Sequence, residues 1–437
     1  MEWYVSLSAI LAALIIILSS GMPVAFGFLV LNIGCLLLLA GGERALMLIS
    51  SGMWSSLATF TLVPLPLFLL MGAVLFESGV TSHLFSASDK WIGRIRARLW
   101  LVSIATGTVL GALTGAAMAS VGILGTILYP DMIKRGYDQR LSIGTLLGSG
   151  SLAAIIPPSG LAVLLGGTAG ISVTKLLLGG IVPGLLLAML FAAYLIIISQ
   201  AKPQLAPLYT GPKVPFVEKV KSLWVIAPFG FIVFSVLGVL LLGIATPSEA
   251  SALGVVSCII VAAGFRSLNF TVLKNALTST MRVTGMMLMV FMAAISFSQV
   301  LSLVGATRGL AEWVTNLGIS PLVALIIMQA TVFALACFID QVSIIMVTMP
   351  IFMPLVSALN IDPVVFGLLY LINVTLGGIT PPFGLVLFVA KGVIPDASVG
   401  VIYRAAVPFI LLTLLAMGIM IAFPQIFTWL PNLIIGG

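Results

Sequence analysis

Asp340 is the residue best placed to do chemistry in this 437-residue chain, because it is a lone carboxylate near the middle of the apolar run 320–359. A carboxylate at the centre of a bilayer costs roughly 2.5–3.5 kcal/mol even on lenient scales, so it must face a partner or a cavity. Two readings stay open for it. It binds a cation, or it anchors the turn Cys337-Phe338-Ile339-Asp340-Gln341-Val342-Ser343 by hydrogen bonds.

Two proline pairs stand beside it in interest. Pro157-Pro158 and Pro381-Pro382 sit inside the apolar runs 141–171 and 363–391. Proline has no N–H, and its ring collides with the preceding helical turn. Two in succession break the helix, and the freed carbonyls find no partner in hydrocarbon. A small cation suits such carbonyls, and an anion suits the N–H groups of the half-helix that follows. A single pair would also fit a plain kink. Two pairs, each followed two residues later by glycine (Gly160 and Gly384), point to a binding site.

Other chemistries lack their residues. One histidine (His83) and three scattered cysteines (Cys35, Cys258 and Cys337) make no metal-ligand spacing and no disulfide framework. There is no HExxH, Walker A loop or Rossmann fingerprint. An intramembrane enzyme would need a nucleophile–base pair or paired carboxylates, and neither is present. The chain therefore reads as no enzyme, with no cofactor.

The elements that carry these residues must be membrane helices. Hydrophobic residues make up 61% of the chain and charged ones 7%, against about 25% charged in a soluble domain. Apolar runs lie at 4–20, 24–41, 61–79, 99–133, 141–171, 174–198, 223–244, 250–264, 283–304, 320–359, 363–391 and 401–423. Backbone groups in lipid must pair within their own segment, so these runs are helical. No basic stretch precedes the first run, which reads as a span and not as a signal peptide.

Sixteen of the 19 Lys and Arg residues fall in 81–98, 134–140, 199–222, 265–282 and 391–404, which places those segments in the cytoplasm. The net charge of +7 is thus loop bias and not a nucleic-acid footprint. The assignment holds only if 99–133 and 320–359 are re-entrant hairpins that enter and leave on one side. Arg282 and Lys391 snorkel to the cytoplasmic surface, and Glu77 reads as interfacial. Ser103, Thr106 and Thr108 line a cavity or bond back to their own helix. The methionines and phenylalanines read as lipid-facing or core residues.

The chain also repeats at an offset of 224. Pro23, Pro130, Pro157 and Pro158 meet Pro247, Pro354, Pro381 and Pro382; Ser149 meets Asn373 and Ser151 meets Thr375. Amphipathic stretches at 45–58 and 267–281 precede the third span of each half. Equivalent segments run in opposite directions, which is the inverted repeat of secondary transporters. A channel would need no such repeat.

The runs Pro64–Gly72, Ile155–Gly160 and Tyr370–Gly384 resemble the large membrane subunit of tripartite ATP-independent periplasmic (TRAP) transporters, and the likeness extends over essentially the whole chain. That resemblance implies an all-α polytopic protein with two inverted repeats, re-entrant hairpins and broken helices, in an elevator-type ion transporter fold. It implies sodium-coupled uptake of a small organic acid, such as a dicarboxylate, sugar acid or sialic acid, across the cell inner membrane. Sodium would be the coupling ion. The partners would be a small four-span membrane subunit and a periplasmic solute-binding protein. Because the chain opens on its first span, the small subunit is expected as a separate polypeptide. The alternative is a stand-alone sodium–carboxylate symporter of the related elevator class.

On the same resemblance, 1–80 and 223–304 form scaffold spans with their arm helices. Residues 81–198 and 305–437 form the two transport-domain halves, and 199–222 is a cytoplasmic linker. One sodium site would use Thr114 and Gly115 with Ile156 and Pro157. The other would use Asp340 with Gly378 and Thr380. The substrate would lie between the hairpin tips, near Ser120, Ser149, Ser159, Ser343, Asn373 and Thr375. Ala-rich residues 116–119 depart from the hydroxyls expected at the first tip.

The topology makes a direct prediction. A Lys202→Cys variant should react with an impermeant maleimide only from the cytoplasmic side. Labelling from outside intact cells would contradict the orientation.

Overall fold

The computed structural model describes residues 2–39, 47, 50–54, 59–93, 95–208 and 215–435, and among them there are helices and connections but no strand. The first half contains α1 (Trp3–Ser19), α2 (Val24–Leu39), α3 (Pro64–Glu77) and α4 (Thr81–Trp91). A hairpin of α5 (Arg98–Thr114) and α6 (Ala117–Lys134) follows, then α7 (Gln139–Ser151), α8 (Gly160–Ala169), α9 (Val173–Gly179) and α10 (Ile181–Ala201). The second half begins with α11 (Phe216–Val233), which continues through a π turn at Phe234–Gly238 to Leu241. Next come α12 (Pro247–Gly264), α13 (Phe270–Leu303), α14 (Ala306–Asn316) and a hairpin of α15 (Pro321–Ala336) and α16 (Gln341–Ala358). The chain closes with α17 (Pro363–Gly378), α18 (Leu385–Val393), α19 (Val399–Ala422) and α20 (Pro424–Ile435).

The repeat read from the prolines is present in the helices. A shift of 224 lays α6 on α16 residue for residue, and lays α4 on α14 within one residue. The packing obeys the same relation. In a two-fold arrangement, a contact of X in one half with Y in the other must recur as Y with X. Accordingly α2 packs on α13 and α3 on α12; α1 packs on α14 and α4 on α11. Likewise α6 packs on α18 and α8 on α16, so each hairpin supports the half-helix of the opposite repeat.

The halves differ in one large way. The second arm stretch, 267–281, continues without interruption into its span, giving the 34-residue α13. At 1.5 Å per residue that is about 51 Å, well beyond a hydrocarbon core of about 30 Å. In the first half the helix restarts at Pro64, with Pro66 close behind; the matching residues in α13 are Leu288 and Val290. Proline at those two positions accounts for the break. The first arm stretch, 45–58, lies largely outside the described residues.

Among the described residues, seven helices are long and apolar enough to cross a membrane by length and composition, including α10 joined to α9, and α12, α13 and α19. Hairpin arm α16 also meets that criterion, although its partner α15 returns the chain beside it. The apolar runs do not mark α4, α14 or α20. The first two are amphipathic connectors between span and hairpin.

Arg98 pins the root of the first hairpin. Its guanidinium is 4% exposed and meets Asp89 of α4 in a two-pronged pair, with Nε to Oδ1 at 2.8 Å and Nη2 to Oδ2 at 2.9 Å. Nη2 also donates to the Asp89 carbonyl at 2.9 Å. Removing the carboxylate strands most of a buried charge. Asp89→Ala should therefore cost about 3 kcal/mol, read as a lower thermal midpoint of the purified chain, whereas Arg135→Ala at the exposed Asp131 pair should cost well under 1 kcal/mol.

Candidate functional site

Both proline pairs break their helices, and each peptide bond within the pairs is cis. In the first half α7 tightens into a 3-10 turn at Leu152–Ala154, and helix resumes only at Gly160. The break is satisfied from within: Ser159 Oγ donates to the Ala154 carbonyl at 2.7 Å and accepts from Ala162 N at 3.3 Å. In the second half α17 stops at Gly378 and α18 starts at Leu385. Here the partners come from farther away. Tyr403 of α19 donates its hydroxyl to the Pro382 carbonyl at 2.5 Å, and Phe383 N donates to the Cys337 carbonyl of the hairpin tip at 3.2 Å.

The hairpin tips reach the breaks by different routes. Gly115 turns the first tip in the left-handed region, at φ +60°. A β-carbon there would lie 3.1 Å from the Pro158 carbonyl oxygen and 3.4 Å from Gly160 N, so the absence of a side chain lets the tip touch the break. Thr114 is buried; its hydroxyl donates to Leu110 O at 2.8 Å and sits 3.2 Å from Ser120 Oγ. At the second tip Asp340 is the N-cap of α16. Its Oδ2 accepts from Val342 N and Ser343 N, both at 3.1 Å, and its Oδ1 accepts from the Ser343 hydroxyl. The tip rests on α17 at Gly377, where a β-carbon would fall 2.0 Å from the Ala336 β-carbon.

The tips open onto one cavity of about 1390 Å³. Thr114 and Gly115 line it from the first tip, Asp340 and Ser343 from the second, and Gly160 and Gly378 from the breaks. The opposite wall is a stripe of α13 that includes Ser279, Thr280, Val283, Met286, Met287 and Val290, at helical spacing.

Several residues expected here are placed elsewhere. Ile156, Pro157 and Thr380 are buried behind the cavity wall, and Thr380 Oγ1 donates to Leu376 O at 2.7 Å. Ser149 is buried between α7 and α5, donating to Thr145 O at 2.6 Å and lying 3.0 Å from Ser103 Oγ. Asn373 donates to Gln329 O and Oε1 of α15, at 2.6 and 2.9 Å. Thr375 bonds back to Leu371 O, Ser120 faces Thr114, and Ser159 caps α8. Ser120, Ser149, Ser159, Asn373 and Thr375, expected near the substrate, thus do not line this cavity. In apolar surroundings these groups take a carbonyl one turn back or a partner on the next helix. Ser103, Thr106 and Thr108 likewise bond within the bundle.

Residues not expected at the cavity also line it. Glu77 lines the cavity and accepts from Asn275 Nδ2 of α13 at 3.2 Å. Met118 of α6 and the α13 methionines also line it. The periodic placement of Ser279, Thr280 and Val283 ahead of Met286 was the available signal. Among the described residues no group of three His, Cys, Asp or Glu side chains converges as for a metal.

Two-fold related hairpins meeting two broken helices at one cavity define a multi-pass membrane transporter. The family model "Tripartite ATP-independent periplasmic transporter, DctM component" matches residues 11–426, and the chain belongs to that family. It is 31% identical over 378 residues to the C4-dicarboxylate TRAP transporter large permease protein DctM of Pseudomonas aeruginosa, covering 85% of this chain and 86% of that one. It is 29% identical to the ectoine TRAP transporter large permease protein TeaC of Halomonas elongata, covering 97% and 98%. The fold is similar to the crystal structure of the Alcanivorax borkumensis YdaH transporter, with a TM-score of 0.67 at 16% identity over 90% of each chain.

Tyr403 supplies a test of how the second break is held. Tyr403→Phe removes one hydrogen bond to an exposed carbonyl at the break, which costs about 0.5–1.5 kcal/mol. It should weaken transport several-fold while the chain still inserts and purifies normally. Unchanged transport would show that the Pro382 carbonyl needs no fixed donor.

Proposed function

We propose that this chain is the permease of a sodium-coupled uptake system for a small organic acid in the cell inner membrane. The observation that carries the reading is the meeting of both hairpin tips with both helix breaks at a single cavity. Backbone oxygens near Gly378 and Thr380 crowd the turn at Gly384, where a β-carbon would lie 2.5 and 2.8 Å from them. Oxygen ligands of this kind suit a hard cation such as sodium. Asp340 would contribute charge beside them, in addition to capping α16.

The hairpins and broken helices, 81–198 and 305–437, would move as one transport unit against the scaffold of 1–80 and 223–304, in an elevator cycle. A small four-span membrane subunit would extend the scaffold, and a periplasmic solute-binding protein would deliver the acid. The relatives support an acid or zwitterion as cargo: their names give C4-dicarboxylate, ectoine and, for a Haemophilus influenzae permease 27% identical, sialic acid.

Two sodium ions with one singly charged acid would make uptake electrogenic, and each net charge moved is worth about 2.3 kcal/mol per 100 mV. In proteoliposomes holding the chain and its small subunit, uptake should require sodium, binding protein and an interior-negative potential together. Equal uptake in potassium and sodium at one imposed potential would refute the coupling. Full uptake without binding protein or small subunit would favour a stand-alone symporter.

A further inference from the structure

We infer that the transported acid carries a single carboxylate on an otherwise apolar body. This rests on the organic-acid uptake proposed above and names its substrate class. The charged side chains lining the central cavity, among the described residues, are Glu77 and Asp340; no Lys, Arg or His lines it. A dicarboxylate would bring a second negative charge into a cavity that is already acidic.

The polar side chains there offer such a charge no positive partner, and several are already engaged, although the Thr280 hydroxyl of α13 is buried without a partner. The hydroxyls of Thr114, Thr126 and Ser82 donate to carbonyls of their own segment, at Leu110, Gly122 and Gly79. The Ser343 hydroxyl and two backbone N–H groups of α16 are taken by Asp340 itself. One carboxylate can still be met by a coupling cation beside Asp340 and Gly378. A second would meet only the neutral hydroxyls of Ser279 and Thr280 at one end of the α13 stripe, or the methionines and valines of that stripe and the Met118–Ile127 face of α6. An ionised group without a partner is strongly disfavoured against such a wall, whereas an alkyl or aryl group is welcome there.

The test uses the full-length chain purified in detergent, with thermal midpoint as the readout and phenylacetate, isovalerate and succinate as probes in saturating sodium. The two monocarboxylates should raise the midpoint at concentrations at least about tenfold below those succinate needs. Met286→Arg, and independently Met118→Arg on the facing helix, should erase that preference or reverse it. Succinate binding as tightly as the monocarboxylates overturns the inference, and so does a chain stabilised by sodium but by none of the three acids. The sodium arm without acid judges the coupling separately. A monocarboxylate preference with no sodium effect would fault the sodium-coupled reading and leave the substrate class standing.

Discussion

Carbonyls freed at two helix breaks deep in an apolar bundle are the constraint on which the rest of this architecture depends. Lipid cannot satisfy them, so they need donors from the turn itself or from neighbouring helices. The hairpins exist to cover them, and so each tip is built to approach a break without leaving new polar groups unpaired. The first tip does this with Gly115, which has no β-carbon to collide with Pro158. The second does it with Phe383 N bonded to Cys337 O and with Asp340 closing the start of α16. The swapped support of α6 on α18 and α8 on α16 then locks each repeat to the other.

Repetition fixes the plan, and local chemistry then differs between the halves. Ser159 closes the first break from inside its own turn, whereas the second borrows Tyr403 from α19. Position 403 matches Gly179, which has no side chain to play that part. Pro64 and Pro66 interrupt one arm-and-span helix, and their absence leaves α13 as one rod flanking the cavity.

The frame was legible in the sequence because it is dictated by proline and by hydrophobic length. The Pro-Pro pairs, the 224-residue offset and the two hairpins all appear where those rules put them. Individual site residues were less legible. Ser149, Asn373 and Thr375 hold repeat-matched positions and bond to neighbouring carbonyls and helices, and a hydroxyl or amide on a buried helix face looks the same in sequence whether it meets a ligand or a neighbouring helix. Asp340 was recognised as unusual, and its capping role was one of its two readings; its three hydrogen bonds to α16 leave the cation role to a direct test. The α13 stripe was missed because Met and Val at helical spacing carry no mark of facing a cavity instead of lipid.

Sodium binding at the second break is the most direct test of the account. A radioactive-sodium equilibrium binding assay on the purified chain, without substrate, should give saturable binding that potassium competes poorly. Gly384→Ala places a β-carbon against the Gly378 and Thr380 oxygens and should abolish or weaken one class of site at least about tenfold, roughly 1.4 kcal/mol. Absence of saturable binding in the wild type, or an unaltered isotherm in a monodisperse Gly384→Ala variant, would contradict the assignment of these carbonyls to the coupling ion.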